Sequence, residues 1–317
     1  MKNEAIIMHD VKGDNFDTIK SKVDASKLRK LYGMLSNIYR NPIGSIVREY
    51  VSNAHDANIE AYNFKKFSYK ELIQKYKWMT DPTVPGLNMS EDEVLHLKAT
   101  LSRTGDNEPI LTGVLQDSNG DAFFYAKDFG IGMSPARMRE IYFNYLSSTK
   151  EDTNDEIGGF GIGAKSALAY THTFFIDTVY KGIEYNYIMS FDESGYPVGK
   201  LLAQKSTKKD NGTCIRVPIK NNNSGDIISF NNEINSKLLY MPNVYVDPNP
   251  FGCENPGYKN DAINNSVLYN GGHWIASTMG HKVSDTMHIT LDNVSYTVDW
   301  NEIPVNPIQM PIAMVFK

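Results

Sequence analysis

The sequence predicts an α+β chain, a mixed sheet with helices on one face, and three observations predict it. Glu49, Asn53 and Asp56 recur at i, i+4 and i+7, so they share one face of a helix, while Ile46, Val47, Tyr50, Val51, Ala54 and Ala57 give that helix an apolar face to bury. The short apolar run Ala122-Phe123-Phe124-Tyr125-Ala126 reads as a buried strand. Four alternating stretches, Thr173 to Tyr180, Glu184 to Phe191, Val198 to Gln204 and Thr213 to Ile219, read as strands joined by glycine turns.

In chain order, residues 1–25 are polar and mixed. A helix is expected from Ser26 to Tyr39, stopped by Asn41-Pro42, and the polar-striped helix follows from Ile43 to about Phe64. Residues 65–120 hold a Lys- and Tyr-rich helical piece, breaks at Asp81-Pro82 and Pro85-Gly86, and an amphipathic stretch from Ser90 to Leu101. The segment 134–157 is polar in its latter half. After the four alternating stretches, Ser229 to Tyr240 reads as a helix. A region rich in Asn, Gly and Pro opens at Pro242, with strands expected near His288 to Trp300. A boundary near 245 therefore divides the chain into 1–245 and 246–317. The apolar run Pro311-Ile312-Ala313-Met314-Val315-Phe316 at the end leads us to expect a longer native protein.

Chemistry is concentrated at three places. A buried stripe of Glu49, Asn53 and Asp56 is costly unless something occupies the cleft it lines. Asp128, at the end of the 122–126 strand, precedes Gly130 and Gly132, and an acid beside bare backbone suits a small polar ring. Gly159-Phe160-Gly161-Ile162-Gly163 leads into the helix-prone Ala164 to Ala169, and exposed amides ahead of a helix N-terminus favour an anion. This loop has neither the GxxxxGK[ST] spacing nor a GxGxxG placed directly after a strand.

Together and in this order the segments resemble the GHKL ATPase superfamily, which includes the gyrase B subunit, the large cytosolic heat-shock chaperone, histidine kinases and MutL. The ExxxNxxDA box falls at Glu49, Asn53, Asp56 and Ala57, the DxGxG box at Asp128, Gly130 and Gly132, and the GxGxG loop at Gly159, Gly161 and Gly163. Gly212-Thr213 with the strand after it is similar to a fourth, late element. Within the superfamily, the run from Tyr145 to Ser166 resembles most the rIIA protector proteins of T-even-like bacteriophages. The resemblance covers roughly residues 30–245.

It implies a Bergerat-type two-layer α/β sandwich with a mixed, mostly antiparallel sheet. Residues 134–157 would form a lid that closes over a nucleotide, residues 65–120 an insertion, and residues 246–317 the start of a second, transducer-like α/β domain. It also implies ATP and Mg²⁺ as ligands. Glu49 would be the general base toward water, and Asn53 the Mg²⁺ ligand. Asp128 would accept from the adenine amine, backed by Thr213 and supported by Asp56, which favours ATP over GTP because guanine presents a carbonyl there.

The implied nucleotide-binding set further includes Gly130, Gly132, Met133, Gly159, Phe160, Gly161, Ile162, Gly163 and Ser166, with Lys150 and Lys165 as candidate phosphate contacts. Several relatives add a lysine from the second domain, for which Lys282 and Lys317 are available. Glu49 also has a plainer reading, an acid paired with Arg48 or with lysines.

Three function classes follow: a slow ATPase gating a homodimer, a nucleotide-dependent binding switch, and a histidine kinase. The third lacks an upstream phosphoacceptor helix pair. The phage resemblance implies action during infection of a bacterial host, with a second phage protein or a membrane-associated partner, and an N-terminal arm that reaches a second subunit.

Composition agrees with an intracellular, cytoplasmic chain of 317 residues, and any membrane association is expected to come through a partner. The net charge of -5 argues against bulk attraction to nucleic acid. The cluster Lys205, Lys208 and Lys209 reads as a solvated hairpin. Cys214 and Cys253, the two cysteines, read as free thiols, and the seven histidines show no metal spacing. The residues MKNEAIIMHD show no basic segment followed by an apolar one, and no run approaches the length of a membrane span, so membrane insertion by this sequence itself is not expected.

Overall fold

The computed structural model describes residues 18–20, 41–103, 108–143, 163–193, 197–222, 224–238, 241 and 243–247, together with five strands beyond 247. The helix expected from Ser26 to Tyr39 lies outside the described residues.

Helix α1, Pro42–Lys66, begins where the expected break fell. Asn41 is its N-cap, accepting from the Gly44 amide at 2.9 Å, and Pro42 fills the first turn, where no amide hydrogen is needed. Its apolar stripe is buried in full at Ile46, Val47 and Val51. Two S-x-x-E capping boxes then start α2, Tyr69–Lys75, at Ser68/Glu71 and α3, Glu91–Thr100, at Ser90/Glu93.

The first sheet has eight strands: β1 Thr18–Lys20, β2 Ile110–Gln116, β3 Ala122–Lys127, β4 Thr173–Tyr180, β5 Ile183–Phe191, β6 Pro197–Ser206, β7 Gly212–Pro218 and β8 Val244–Val246. Their order is β1-β6-β5-β4-β7-β3-β2-β8. All neighbours are antiparallel except the parallel pair β2 and β8. The architecture is thus mixed α+β with an open, mostly antiparallel sheet.

Helices α1 and α4 (Ser224–Lys237) share one core with the inward residues of this sheet. Tyr50 and Ala54 of α1 and Phe230 and Ile234 of α4 join Phe124, Phe174, Ile176, Tyr187 and Val217. Burying such side chains contributes about 1.5–3 kcal/mol each.

Three parts of this sheet differ from expectation. β1, within the polar arm expected to reach a second subunit, pairs with β6 of its own chain. β2 lies inside the stretch assigned to an insertion, because its mixed run Ile-Leu-Thr-Gly-Val-Leu-Gln gives no clean alternation. β8 crosses position 245, and the ties continue to Asp247, whose amide donates to the Thr112 carbonyl and whose carboxylate accepts from the Tyr125 hydroxyl.

The remainder of the insertion, residues 67–101, forms a satellite core. Leu72, Tyr76, Met79, Met89, Val94 and Leu97 pack on Ala61 and Phe64 of α1 and on Ile131. It is therefore seated on the far end of α1 rather than detached from it.

Beyond 247, β9 Val267–Asn270, β10 Trp274–Thr278, β11 Met287–Leu291, β12 Val294–Val298 and β13 Ile312–Phe316 form a second sheet in the order β12-β11-β13-β10-β9. Among the described residues, no helix is long and apolar enough to cross a membrane.

Candidate functional site

Helix α1 carries Glu49, Asn53 and Asp56 along about 10 Å of its axis, at 1.5 Å rise per residue. Two turns distant in sequence close against it. Gly130 lies so near Ala57 that a Cβ there would meet the Ala57 Cβ at 2.8 Å and its carbonyl oxygen at 2.9 Å. Gly163 abuts Glu49, since a Cβ on it would run into Oε2 of that carboxylate. At Gly130 the neighbours are the Ala57 Cβ and a backbone oxygen and only glycine allows the approach, whereas at Gly163 the neighbour is the movable end of the Glu49 side chain.

The helix-prone segment Ala164 to Ala169 forms a 3₁₀ helix, Gly163–Ala169. It is clamped to α1 by hydroxyls. Tyr50 and Tyr142 both donate to the Ala164 carbonyl, at 3.2 and 3.1 Å, and the Ala167 amide donates to the Tyr50 hydroxyl oxygen at 3.3 Å.

Asp128 is buried where β3 ends. Its Oδ1 accepts from the amides of Gly130 at 2.8 Å and Thr213 at 2.9 Å, and its own amide donates to the Thr213 carbonyl. No described residue bonds to Oδ2. Burial pushes the carboxyl up to about 7; the two amide bonds oppose that, and nearby Glu60 adds to it.

Thr213 thus supports Asp128 directly through its backbone, while its hydroxyl meets that of Thr178 at 3.1 Å. The Thr178 hydroxyl also accepts from the Met133 amide at 2.8 Å. This fully buried threonine joins the Asp128 turn to β7.

The Asp128 shift has a stability consequence. The folded protein keeps a proton on this group up to about pH 7, whereas the unfolded chain releases it near the ordinary value of 3.8. The associated stability is complete below about pH 4 and is lost as pH rises through about 7. Asp128→Asn keeps an acceptor for both amides and removes the titration. Unfolding free energies measured from pH 4 to 8 should show wild type losing up to about 4 kcal/mol relative to that variant. Parallel curves would contradict the assignment.

Glu49 is half-buried and paired with its neighbour. Arg48 donates to Oε1 from Nη2 at 2.5 Å and from Nε at 3.1 Å. Asn53 is half-buried and makes no hydrogen bond recorded among the described residues. Asp56 is buried, 3.7 Å from His55 Nδ1, beyond hydrogen-bond range.

Lys165 is buried near the ring of Tyr142, its Nζ 5.8 Å from the centroid, and desolvation lowers its pKa to about 7. Ser166 is fully buried, with its hydroxyl unbonded among the described residues. Lys150, Gly159, Phe160, Gly161 and Ile162, with Lys282 and Lys317, lie outside the described residues, as does most of the expected lid. Its first part forms a turn at Pro135–Arg137 that continues into a π turn, Met138–Tyr142.

Several residues of this neighbourhood escaped the sequence reading. Asn58 accepts from the Phe129 amide at 2.8 Å and donates to the Glu108 carbonyl at 3.1 Å, which ties α1 to the Asp128 turn. Buried Glu60 accepts from Arg137 Nη1 at 2.9 Å, which anchors the Pro135–Arg137 turn to α1. Glu60 stands four residues after Asp56, so the polar stripe continues one turn further, a signal that was present. Asn58 follows no stripe, and only the fold reveals it.

Outside the site, Lys205 and Lys209 flank buried Glu184, with Lys209 Nζ at 2.7 Å, so these members of the basic cluster serve an internal acid. Burial raises the Cys214 thiol to about 12, which leaves it protonated and unreactive.

Among the described residues no group of three or more His, Cys, Asp or Glu is placed to hold a metal ion. The fold and site define an α+β protein in which two glycine turns close on one face of a central helix. No protein-family model matches the chain, and no curated protein matches it.

Proposed function

We propose that this protein binds Mg²⁺-ATP along α1 and hydrolyses it slowly, as a GHKL-type ATPase of the phage rIIA kind, with nucleotide closing a lid and gating a homodimer. The observation that carries the reading is the convergence of two turns distant in sequence on one helix: the Asp128–Gly130 turn at Ala57, and Gly163 at Glu49. An elongated ligand with a polar ring at one end and an anion at the other matches that arrangement.

In this reading Asp128 receives the adenine amine on Oδ2, because Oδ1 already holds two amides. Gly163 brings the backbone of its turn up to Glu49, which is where this reading seats the phosphates. The Asn53 side chain is the protein ligand available to Mg²⁺, a single neutral donor that suffices because the triphosphate brings the charge. Bound Mg²⁺ would neutralise charge developing on the phosphates. Glu49 orients the attacking water and takes its proton.

A second reading is a nucleotide-dependent binding switch without turnover. The Arg48 pair on Glu49 favours it, since a carboxylate oxygen already bonded by two guanidinium N–H groups is less available to orient a water.

Calorimetric titration with Mg²⁺-ATP tests the shared premise. Wild type should bind ATP in preference to GTP, and Asp128→Asn should weaken ATP by about 10- to 100-fold, the range for a hydrogen bond to a charged group. Affinity should rise with pH through about 7, as Asp128 ionises and becomes a full acceptor. Equal affinity in the variant, or none in wild type, would sink both readings.

A further inference from the structure

We propose that Arg137 is a positioning residue for both ends of the α1 site, because the segment from Ser134 to Phe143 acts as a strut between them. The strut leaves the Asp128 turn through Met133, whose amide is held by the Thr178 hydroxyl. Arg137 Nη1 then donates to Glu60 Oε2 at 2.9 Å, with both side chains largely buried, and its guanidinium lies 5.0 Å from the Trp78 ring centre. Five residues on, the Tyr142 hydroxyl donates to the Ala164 carbonyl at 3.1 Å, next to the Gly163 that abuts Glu49. Glu60 and Tyr50, the α1 residues bonded at the two ends, stand about 15 Å apart along the helix.

The stiffness of the strut comes from its own bonds. The Arg137 amide donates to the Ser134 hydroxyl at 3.1 Å, the Met138 amide to the Ser134 carbonyl at 2.9 Å, and the Phe143 amide to the Met138 carbonyl at 2.9 Å. Met138 and Phe143 are fully buried in the main core, and Gly199 lies so close to Phe143 that a Cβ on it would meet the ring. A close-packed segment of this kind moves as a unit, so displacing one anchor disturbs the other. The π turn at Met138–Tyr142 holds one residue more than an α register would, and loss of that register would turn Tyr142 away from Ala164. The strut stands whether or not the α1 site takes a nucleotide. With one bound, it would make the grip on the polar ring and the seating of the phosphates interdependent.

The test is residue-resolved hydrogen exchange of the ¹⁵N-labelled full chain without ligand. The amides of Phe129, Gly130 and Met133, each held by a side chain, report the Asp128 end. The Ala167 amide, held by the Tyr50 hydroxyl, reports the other. Arg137→Gln should speed exchange at Ala167 by about two- to thirtyfold while the amides of β5 stay as in wild type. Tyr142→Phe, which deletes one hydroxyl and keeps the ring, should speed exchange at Gly130 and Met133 by the same order, because coupling is reciprocal. Arg137→Lys, which keeps a charge opposite Glu60, should return most of the protection at Ala167. Changes confined to the mutated end would overturn the proposal. A rise shared equally by β5 would also overturn it, since that marks general loss of stability. Should Arg137→Gln not fold, the Tyr142→Phe result decides by itself.

Discussion

Glu49→Ala is expected to lower steady-state phosphate release from Mg²⁺-ATP by about 10²- to 10⁴-fold, the usual contribution of a general base. The carboxylate lies against the Gly163 turn, where a Cβ on that glycine would meet Oε2. A phosphate seated at the turn would put its attacking water within reach of this acid.

The variant should remain folded. Glu49 is partly exposed, and its pair with Arg48 is of the kind that contributes about 0–1 kcal/mol. ATP affinity should change little, since the base acts on water and not on the bound base or sugar. Phosphate release is measured on wild type and variant prepared side by side, with binding measured on both. Loss of turnover with binding retained supports the ATPase. Turnover equal in both, at the level of a blank, leaves the binding switch and removes Glu49 from any catalytic role.

The second large effect is structural. Gly132→Ala should cost about 3 kcal/mol or more and lower the midpoint of thermal unfolding by roughly 10 °C. Gly132 has φ 76°, and a Cβ on it would drive into the Val179 carbonyl oxygen of β4, a backbone atom that cannot swing aside. Gly120 separates the two contributions. It also has a positive φ, 88°, in the turn before β3, yet a Cβ there would only approach the flexible Gln116 side chain at 3.4 Å. Gly120→Ala should therefore cost only the backbone term, about 1 kcal/mol. Equal losses at the two positions, read by calorimetry, would show that the contact with β4 contributes nothing.

Much of the architecture was legible because it rests on local periodicity. The 3.6-residue spacing that marks α1 and the alternation that marks β4 to β7 are set by which faces must be dry, and each strand was placed within two residues of its observed ends. β2 and β8 were missed for a shared reason. β8 pairs in parallel with β2, a partner more than a hundred residues away, whereas β2 also forms a hairpin with β3, and in both the strand's own residues give no clean alternation to announce it.

The site divides in a similar way. Glu49, Asn53, Asp56 and Glu60 lie on one stripe because helix geometry alone aligns them. Asn58, by contrast, matters because the Phe129 amide arrives beside it, and Thr178 matters because Met133, Gly212 and Thr213 converge on its hydroxyl.

By itself the sequence determined which residue types stand at helical and strand spacing and which glycines could admit close backbone approach. Tertiary structure decided which groups meet: Gly163 with Glu49, Gly130 with Ala57, and the Thr213 amide with Asp128. It also decided their protonation. An acid at a strand end keeps an ordinary carboxyl in water, and only enclosure by α1, β3 and β7 raises that of Asp128 to about 7. The physical reason is that periodicity acts over a few residues of chain, whereas desolvation and contact depend on surfaces that come together only when the sheet closes against its helices.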